Sequence, residues 1–85
     1  MGKYKIEIKR SAVKEIQQIP PKDLKKILNK IESLSGNPRP FGCRKLSAEE
    51  KYRIRYGSYR ILYMIEDNVL IVYVVKVGQR KDVYR

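Results

Sequence analysis

The chain has 85 residues, 42% of them hydrophobic, which is enough for one folded domain with a single modest core. Its 20 Lys and Arg against 9 Asp and Glu give a net charge of +11, which favours a polyanionic partner, above all nucleic acid. The chain has no histidine and one cysteine, which argues against a zinc site and a disulfide framework. No apolar run is long enough to span a bilayer, and the basic N-terminus lacks a signal-peptide core. We therefore expect a single cytoplasmic domain over residues 1–85 with no metal, no cofactor and no membrane partner.

The first half of the chain predicts one strand and two helices. Apolar and charged residues alternate over residues 3–9, as in a strand with one buried face. Ser11 is a predicted N-cap for a helix that stops at Pro20. Pro21 suits the first turn of a second helix with an apolar stripe, and Gly36 predicts its end.

The second half predicts a three-strand meander. A short extended piece over Cys43 to Leu46 precedes residues 51–63, where apolar residues alternate with cations on both sides of Gly57-Ser58. This pattern predicts a hairpin with a two-residue type II′ turn. A turn at 66–68 then leads to the apolar run 69–77, a predicted covered strand. The fold class is therefore α+β, with two helices packed on one face of a mostly antiparallel four-stranded sheet.

The predicted hairpin register places three guanidinium groups on one face. Arg55 lies opposite Arg60, and Arg53 lies two residues along the same face. Like charges directly opposite each other destabilise a sheet, so the arrangement predicts an anionic ligand. Arg80 follows the adjacent strand within reach of this face, and the planar fork of arginine suits bidentate contacts with phosphate. Either Arg53 or Arg55 alone would be explained as an edge-strand cation that discourages association.

Tyr84 and Cys43 are further candidate site residues. Tyr84 lies in a polar basic tail, where it could stack on a base or place its hydroxyl beside a phosphate. Cys43 is predicted to be a buried or half-buried residue rather than a nucleophile, because no histidine can activate it. The lysines of the second helix are interpreted as a solvated face.

The sequence resembles the RelE branch of the RelE/ParE toxin superfamily over nearly its whole length. The resemblance rests on the following segments: Tyr52-Arg53-Ile54-Arg55, Tyr59-Arg60-Ile61-Leu62-Tyr63, Val77-Gly78-Gln79-Arg80 and Val83-Tyr84-Arg85. It implies the toxin of a type II toxin-antitoxin system, an endoribonuclease that cleaves mRNA at the A site of the 70S ribosome. The 16S rRNA of that site is then an expected partner. It also implies a cognate antitoxin that neutralises the toxin.

The resemblance further implies a role for each site residue. Arg60 matches the family's transition-state arginine, Arg80 a second catalytic arginine, and Tyr84 a tyrosine that orients the substrate. Arg53 and Arg55 match basic residues that bind the RNA backbone at the cleavage site. Arg55 is in addition expected to be a catalytic residue. The basic residues Lys51 and Lys81 complete the expected RNA-binding set.

The proton of the attacking 2′-hydroxyl needs an acceptor. Arg55 stands where the best-known family member has a lysine, and a guanidinium group does not deprotonate at physiological pH. Tyr84, with an ordinary pKa of about 10, could accept the proton if neighbouring arginines lower that value. Otherwise water or ribosomal RNA must accept it.

Two other functions stay open at this point. A ParE-like toxin would poison DNA gyrase through protein contacts, although such a protein has no need for the combination of Arg60, Arg80 and Tyr84. A non-catalytic RNA-binding module would use the arginines only to hold phosphate. For either toxin, the positive charge and the apolar run 69–77 predict an acidic antitoxin with an amphipathic segment.

Overall fold

The computed structural model describes residues 3–46 and 51–79. These residues form β1 (Lys5–Ile8), α1 (Arg10–Gln17), α2 (Pro21–Ser33), β2 (Arg44–Lys45), β3 (Lys51–Tyr56), β4 (Tyr59–Glu66) and β5 (Ile71–Gln79). The strand order in the sheet is β1-β5-β4-β3-β2, and β1 runs parallel to β5 while the other neighbours are antiparallel. The predicted α+β class is confirmed, with five strands in place of four because β2 pairs with β3.

The core lies between the two helices and one face of the sheet. Ala12 and Ile16 of α1 and Ile27 and Ile31 of α2 are buried, as their helical spacing requires. They share one hydrophobic cluster with these buried sheet residues: Ile54, Tyr59, Ile61, Tyr63, Val72, Val74 and Val77. Within the described residues, no helix is long and apolar enough to cross a membrane.

The helix ends differ in detail from the predicted ones. Pro21 is the first residue of α2, as predicted, where its missing N–H has no partner to lose. The prediction of Ser11 as N-cap is wrong, because α1 begins at Arg10 with Lys9 as its N-cap and without a side-chain cap. α2 ends at Ser33, before Gly36.

The β3–β4 hairpin has the predicted turn and register. Tyr56 pairs with Tyr59, which leaves Gly57-Ser58 as a two-residue loop. Gly57 has a φ of 57°, and Ser58 is not among the described residues with positive φ. A type II′ turn requires this combination, because only its first central residue is left-handed. The face assignment of every hairpin residue follows from this register.

A bulge in β5 explains why that strand is apolar on both faces. Leu62 pairs with Lys76 and Tyr63 pairs with Val74, so Val75 has no partner in β4. The extra residue shifts the alternation by one position, and Val74 and Val77 are therefore both buried although they are three residues apart. β5 begins at Ile71, two residues later than predicted, and extends to Gln79.

α1 protects the part of the β5 edge that β1 does not reach. β1 pairs with β5 from Ile71 to Val74 only. Beyond that point, the Val77 N–H donates to Oε1 of Glu15 at 2.9 Å, and the Lys76 ammonium donates to Oε2 of Glu15 at 2.8 Å. A side-chain carboxylate thus takes the place of a neighbouring strand and covers an edge that could otherwise pair with another chain.

Candidate nucleic-acid interface

The face of the sheet opposite the helices carries the predicted arginines. In the observed register, Arg55 lies directly opposite Arg60 and Arg53 lies opposite Leu62. Residues that face each other in an antiparallel pair share one side of the sheet, and residues two apart in a strand share it as well. All three guanidinium groups therefore belong to this face, which we call the arginine face, and the predicted register is confirmed.

Burial divides these cations into two kinds. Arg60 is 0% exposed, whereas Arg55 is exposed and Arg53 and Lys51 are half-buried. An arginine buried in this way is held in a fixed place, because a charged group leaves water only where its surroundings compensate it. Arg60 is thus suited to act on one defined atom, and Arg55 and Arg53 are suited to contact a ligand arriving from solvent. The alternation of apolar residues and cations does not reveal this difference in burial.

Arg44 is a further cation on the arginine face, and sequence reasoning missed it. It pairs with Arg53 across the β2–β3 ladder, so the two side chains share one face. Arg44 is exposed, and it extends the row of cations to a third strand. The sequence of residues 43–46 indicates only a short extended piece and does not identify the strand with which it pairs. A strand of two residues has too little pattern to reveal its register.

The remaining predicted site residues, Arg80, Lys81 and Tyr84, lie outside the described residues. β5 ends at Gln79, and Gly78 lies opposite Arg60. The described part of the chain therefore ends one residue beyond the position opposite Arg60.

An apolar strip lies on the same face of the sheet as the arginines. Leu62 and Met64 lie two and four residues after Arg60 in β4 and therefore share its face, and Tyr73 lies opposite Met64 on β5. All three are half-buried, so they offer partly exposed apolar surface beside the cations. A sheet face that combines an apolar strip with a basic margin suits an amphipathic acidic partner.

The most evident cavity of the described residues lies elsewhere. It has a volume of about 460 Å³ and lies between the end of α1 and the end of β5, where Glu15, Ile19, Tyr59 and Gln79 contribute to its lining. None of the described arginines lines it. The arginine face is an open surface, which fits a polymeric ligand better than a small molecule enclosed in a pocket.

Comparison with known proteins places the chain in a toxin family. A family described as the ParE toxin of the type II toxin-antitoxin system parDE matches residues 6–84. A protein of Methanocaldococcus jannaschii designated toxin RelE1 is 32% identical, with 98% of this chain and 97% of that protein covered.

Solved structures agree with this match. The RelBE2 toxin-antitoxin complex of Mycobacterium tuberculosis aligns with a TM-score of 0.82 and 26% identity, covering 92% of this chain and 99% of that chain. The archaeal RelE-RelB complex from Pyrococcus horikoshii aligns with the same TM-score and identity, covering 92% of this chain and 96% of that chain. The chain therefore belongs to the ParE toxin family and is a RelE-type toxin of a type II toxin-antitoxin system.

Proposed function

We propose that this toxin is a ribosome-dependent, metal-independent endoribonuclease that cleaves mRNA at the A site and so inhibits translation in the cytoplasm. The observation that carries the proposal is the opposition of Arg55 and Arg60, with Arg53 and Arg44 on the same face. Such a row of like charges is unfavourable in the free protein and becomes favourable when a chain of phosphates lies across it. RNA is the ligand that also fits the net charge of +11.

The reaction that suits these residues is a transesterification within the RNA. The 2′-oxygen of one nucleotide attacks the adjacent phosphorus, the bond from phosphorus to the 5′-oxygen breaks, and the leaving oxygen takes up a proton. The products are a 2′,3′-cyclic phosphate and a 5′-hydroxyl. Because RNA supplies the nucleophile, the protein needs to align the phosphate and stabilise its developing charge.

Arg60 is the proposed stabiliser of the transition state, with Arg80 as a second catalytic arginine. Arg60 is held in one place by the surrounding protein, and this favours it over the exposed Arg55 as a preorganised charge once the phosphate reaches it. Arg53 and Arg55 hold the RNA backbone, together with Lys51 and Lys81 in the proposed assignment. Tyr84, water or ribosomal RNA accepts the 2′-hydroxyl proton, since Arg55 cannot.

The cognate antitoxin is proposed to cover the arginine face. The solved relatives are complexes of RelE toxins with RelB antitoxins. On this chain the half-buried strip of Leu62, Met64 and Tyr73 would accept the apolar side of an amphipathic segment, while acidic residues pair with Arg53 and Arg55. Occupying those arginines would block access of RNA.

The test is to map mRNA ends by primer extension on translating ribosomes with antitoxin-free protein. The wild type should cut at the A-site codon, and Arg60→Lys should lose the cuts because an ammonium group keeps the charge but not the planar fork. Lys26→Ala is the matched control, because it removes an exposed cation on the opposite, helical side and should cut normally. Binding of RNA without any cleavage by the folded wild type would identify a non-catalytic RNA-binding module.

A ParE-like action on DNA gyrase is the second candidate. It is favoured by the family description, which names the ParE toxin. A gyrase supercoiling assay separates the two, because a gyrase poison would inhibit supercoiling and leave mRNA on ribosomes intact. The nuclease proposal expects the reverse result from the same preparation.

A further inference from the structure

A polar cluster joins four segments of the chain at the end of the sheet where β1 and β3 begin and β4 ends. Arg39, in the loop between α2 and β2, donates from both terminal nitrogens to the Asp67 carboxylate at 3.2 and 2.9 Å. Its Nε donates to the Tyr52 hydroxyl at 3.2 Å, and its guanidinium carbon lies 5.3 Å from the centre of the Tyr52 ring. Tyr4 donates its hydroxyl to Asp67 at 2.7 Å. We call these four residues the Arg39 clamp.

The loop that carries Arg39 is anchored to the core on either side of that residue, by Pro38 and by Cys43. Pro38 is buried, and its carbonyl accepts the Tyr63 hydroxyl at 2.8 Å. Beyond it, the Phe41 side chain is fully exposed and anchors nothing within the described residues. Cys43 is half-buried against the core, and its N–H donates to the Pro40 carbonyl at 3.0 Å, whereas no side chain of residues 39–42 is buried. The bidentate Arg39–Asp67 contact therefore adds an attachment to a stretch that has no buried side chain of its own.

The strand that follows this loop is equally poor in burial. β2 consists of Arg44 and Lys45, both exposed, and it pairs with β3 at the edge of the sheet. Beside those two pairs, the Leu46 N–H donates to the Lys51 carbonyl at 2.9 Å. Two residues of edge strand do not hold their own register, because strand stability comes from longer ladders and buried side chains. The position of Arg44 therefore depends on the preceding loop, through the packing of Cys43 against the core and the attachment at Arg39.

We propose that Arg39 and Asp67 are positioning residues that hold β2 against β3 and so fix Arg44 as an additional contact to RNA phosphate. This inference rests on the proposed function, because it takes RNA as the ligand of the arginine face. Arg39 acts through Asp67 and Tyr52, and it has no part in the chemical step.

The sign of the charge change separates positioning from general electrostatics. Asp67→Ala abolishes the clamp and removes one negative charge, so attraction of the whole protein for RNA should increase. Positioning predicts the opposite, a loss of affinity through a displaced Arg44. Glu66→Ala is the matched control, since it removes the same charge from the exposed residue next in the chain.

The experiment measures binding of a single-stranded RNA oligonucleotide to antitoxin-free toxin over a range of salt concentrations. Arg44→Ala should bind about fivefold more weakly, and the slope of log K against log salt should fall in magnitude by about 0.7, the value for one lost phosphate contact. Asp67→Ala should show a similar loss of affinity and of slope although it removes no cation. The double variant should bind no more weakly than Arg44→Ala alone, because both changes remove one contact.

Several outcomes would overturn the inference. One is binding of RNA by Asp67→Ala as tight as that by Glu66→Ala, and another is a double variant whose loss of affinity equals the product of the two single losses. If thermal unfolding shows that Asp67→Ala is not folded, Arg39→Lys serves instead, because it keeps the charge but lacks the bidentate fork. Failure of the wild type to bind the free oligonucleotide would overturn this inference alone, because the proposed cleavage takes place on the ribosome and is tested separately by primer extension.

Discussion

Replacing Glu15 with Ala should destabilise the toxin by about 2 kcal/mol, because β5 loses the acceptor for the Val77 N–H. Val77 is 1% exposed, so water has poor access to the freed N–H, and a buried donor without a partner costs about 1–3 kcal/mol. The ion pair with Lys76 adds at most about 0.5 kcal/mol, since its side chains are 38% and 30% exposed and solvent screens them. For a domain of this size, the total corresponds to a fall of roughly 8–16 °C in Tm.

Two further variants separate the hydrogen bond from the charge. Glu15→Gln keeps an oxygen that can accept the Val77 N–H and should cost less than about 1 kcal/mol. Lys76→Met removes only the ion pair and should cost about 0.5 kcal/mol or less. Urea unfolding followed by circular dichroism gives each free energy of unfolding. Equal destabilisation by Glu15→Ala and Glu15→Gln would refute the edge-capping account, because it would show that the charge alone matters.

Two other perturbations test the packing around the β2 side of the sheet. Tyr63→Phe should cost about 1–2 kcal/mol in thermal unfolding, because the Pro38 carbonyl loses its buried donor, and an unchanged Tm would show that this bond contributes nothing. Hydrogen bonds from Arg39 and Tyr4 lower the pKa of Asp67, so its stabilising contribution is present above the ordinary carboxyl pKa and is lost as pH falls through the lowered value. Asp67→Asn should therefore be less stable than the wild type at neutral pH and equally stable in strong acid; a gap that persists in acid would contradict this assignment.

Much of the fold could be predicted because its signals are local. The alternation on either side of Gly57-Ser58 fixes the hairpin register, and that register places Arg53, Arg55 and Arg60 on one face. The apolar stripes of both helices likewise identify their buried sides. Each of these features depends on neighbours within a few residues, which the sequence displays directly.

The features that escaped prediction depend on distant contacts. The bulge at Val75 reflects the fit between β4 and β5, and alternation within β5 alone does not locate it. Burial of Arg60 depends on the packing around it, and the alignment of Arg44 with Arg53 depends on where the loop after α2 delivers the chain. The Arg39–Asp67 contact joins residues 28 positions apart, so no local sequence pattern predicts it.

The central claim is that RNA supplies its own nucleophile to an arginine-lined face. The most direct measurement uses ribosomes programmed with an mRNA whose cleavage position has first been mapped, compared with the same mRNA carrying a 2′-deoxynucleotide at the attacking position. The account predicts that the unmodified mRNA yields a 2′,3′-cyclic phosphate and a 5′-hydroxyl, and that the deoxy-substituted mRNA stays intact. Cleavage of the deoxy-substituted mRNA, or a 5′-phosphate on the downstream fragment, would contradict it by showing that water is the nucleophile.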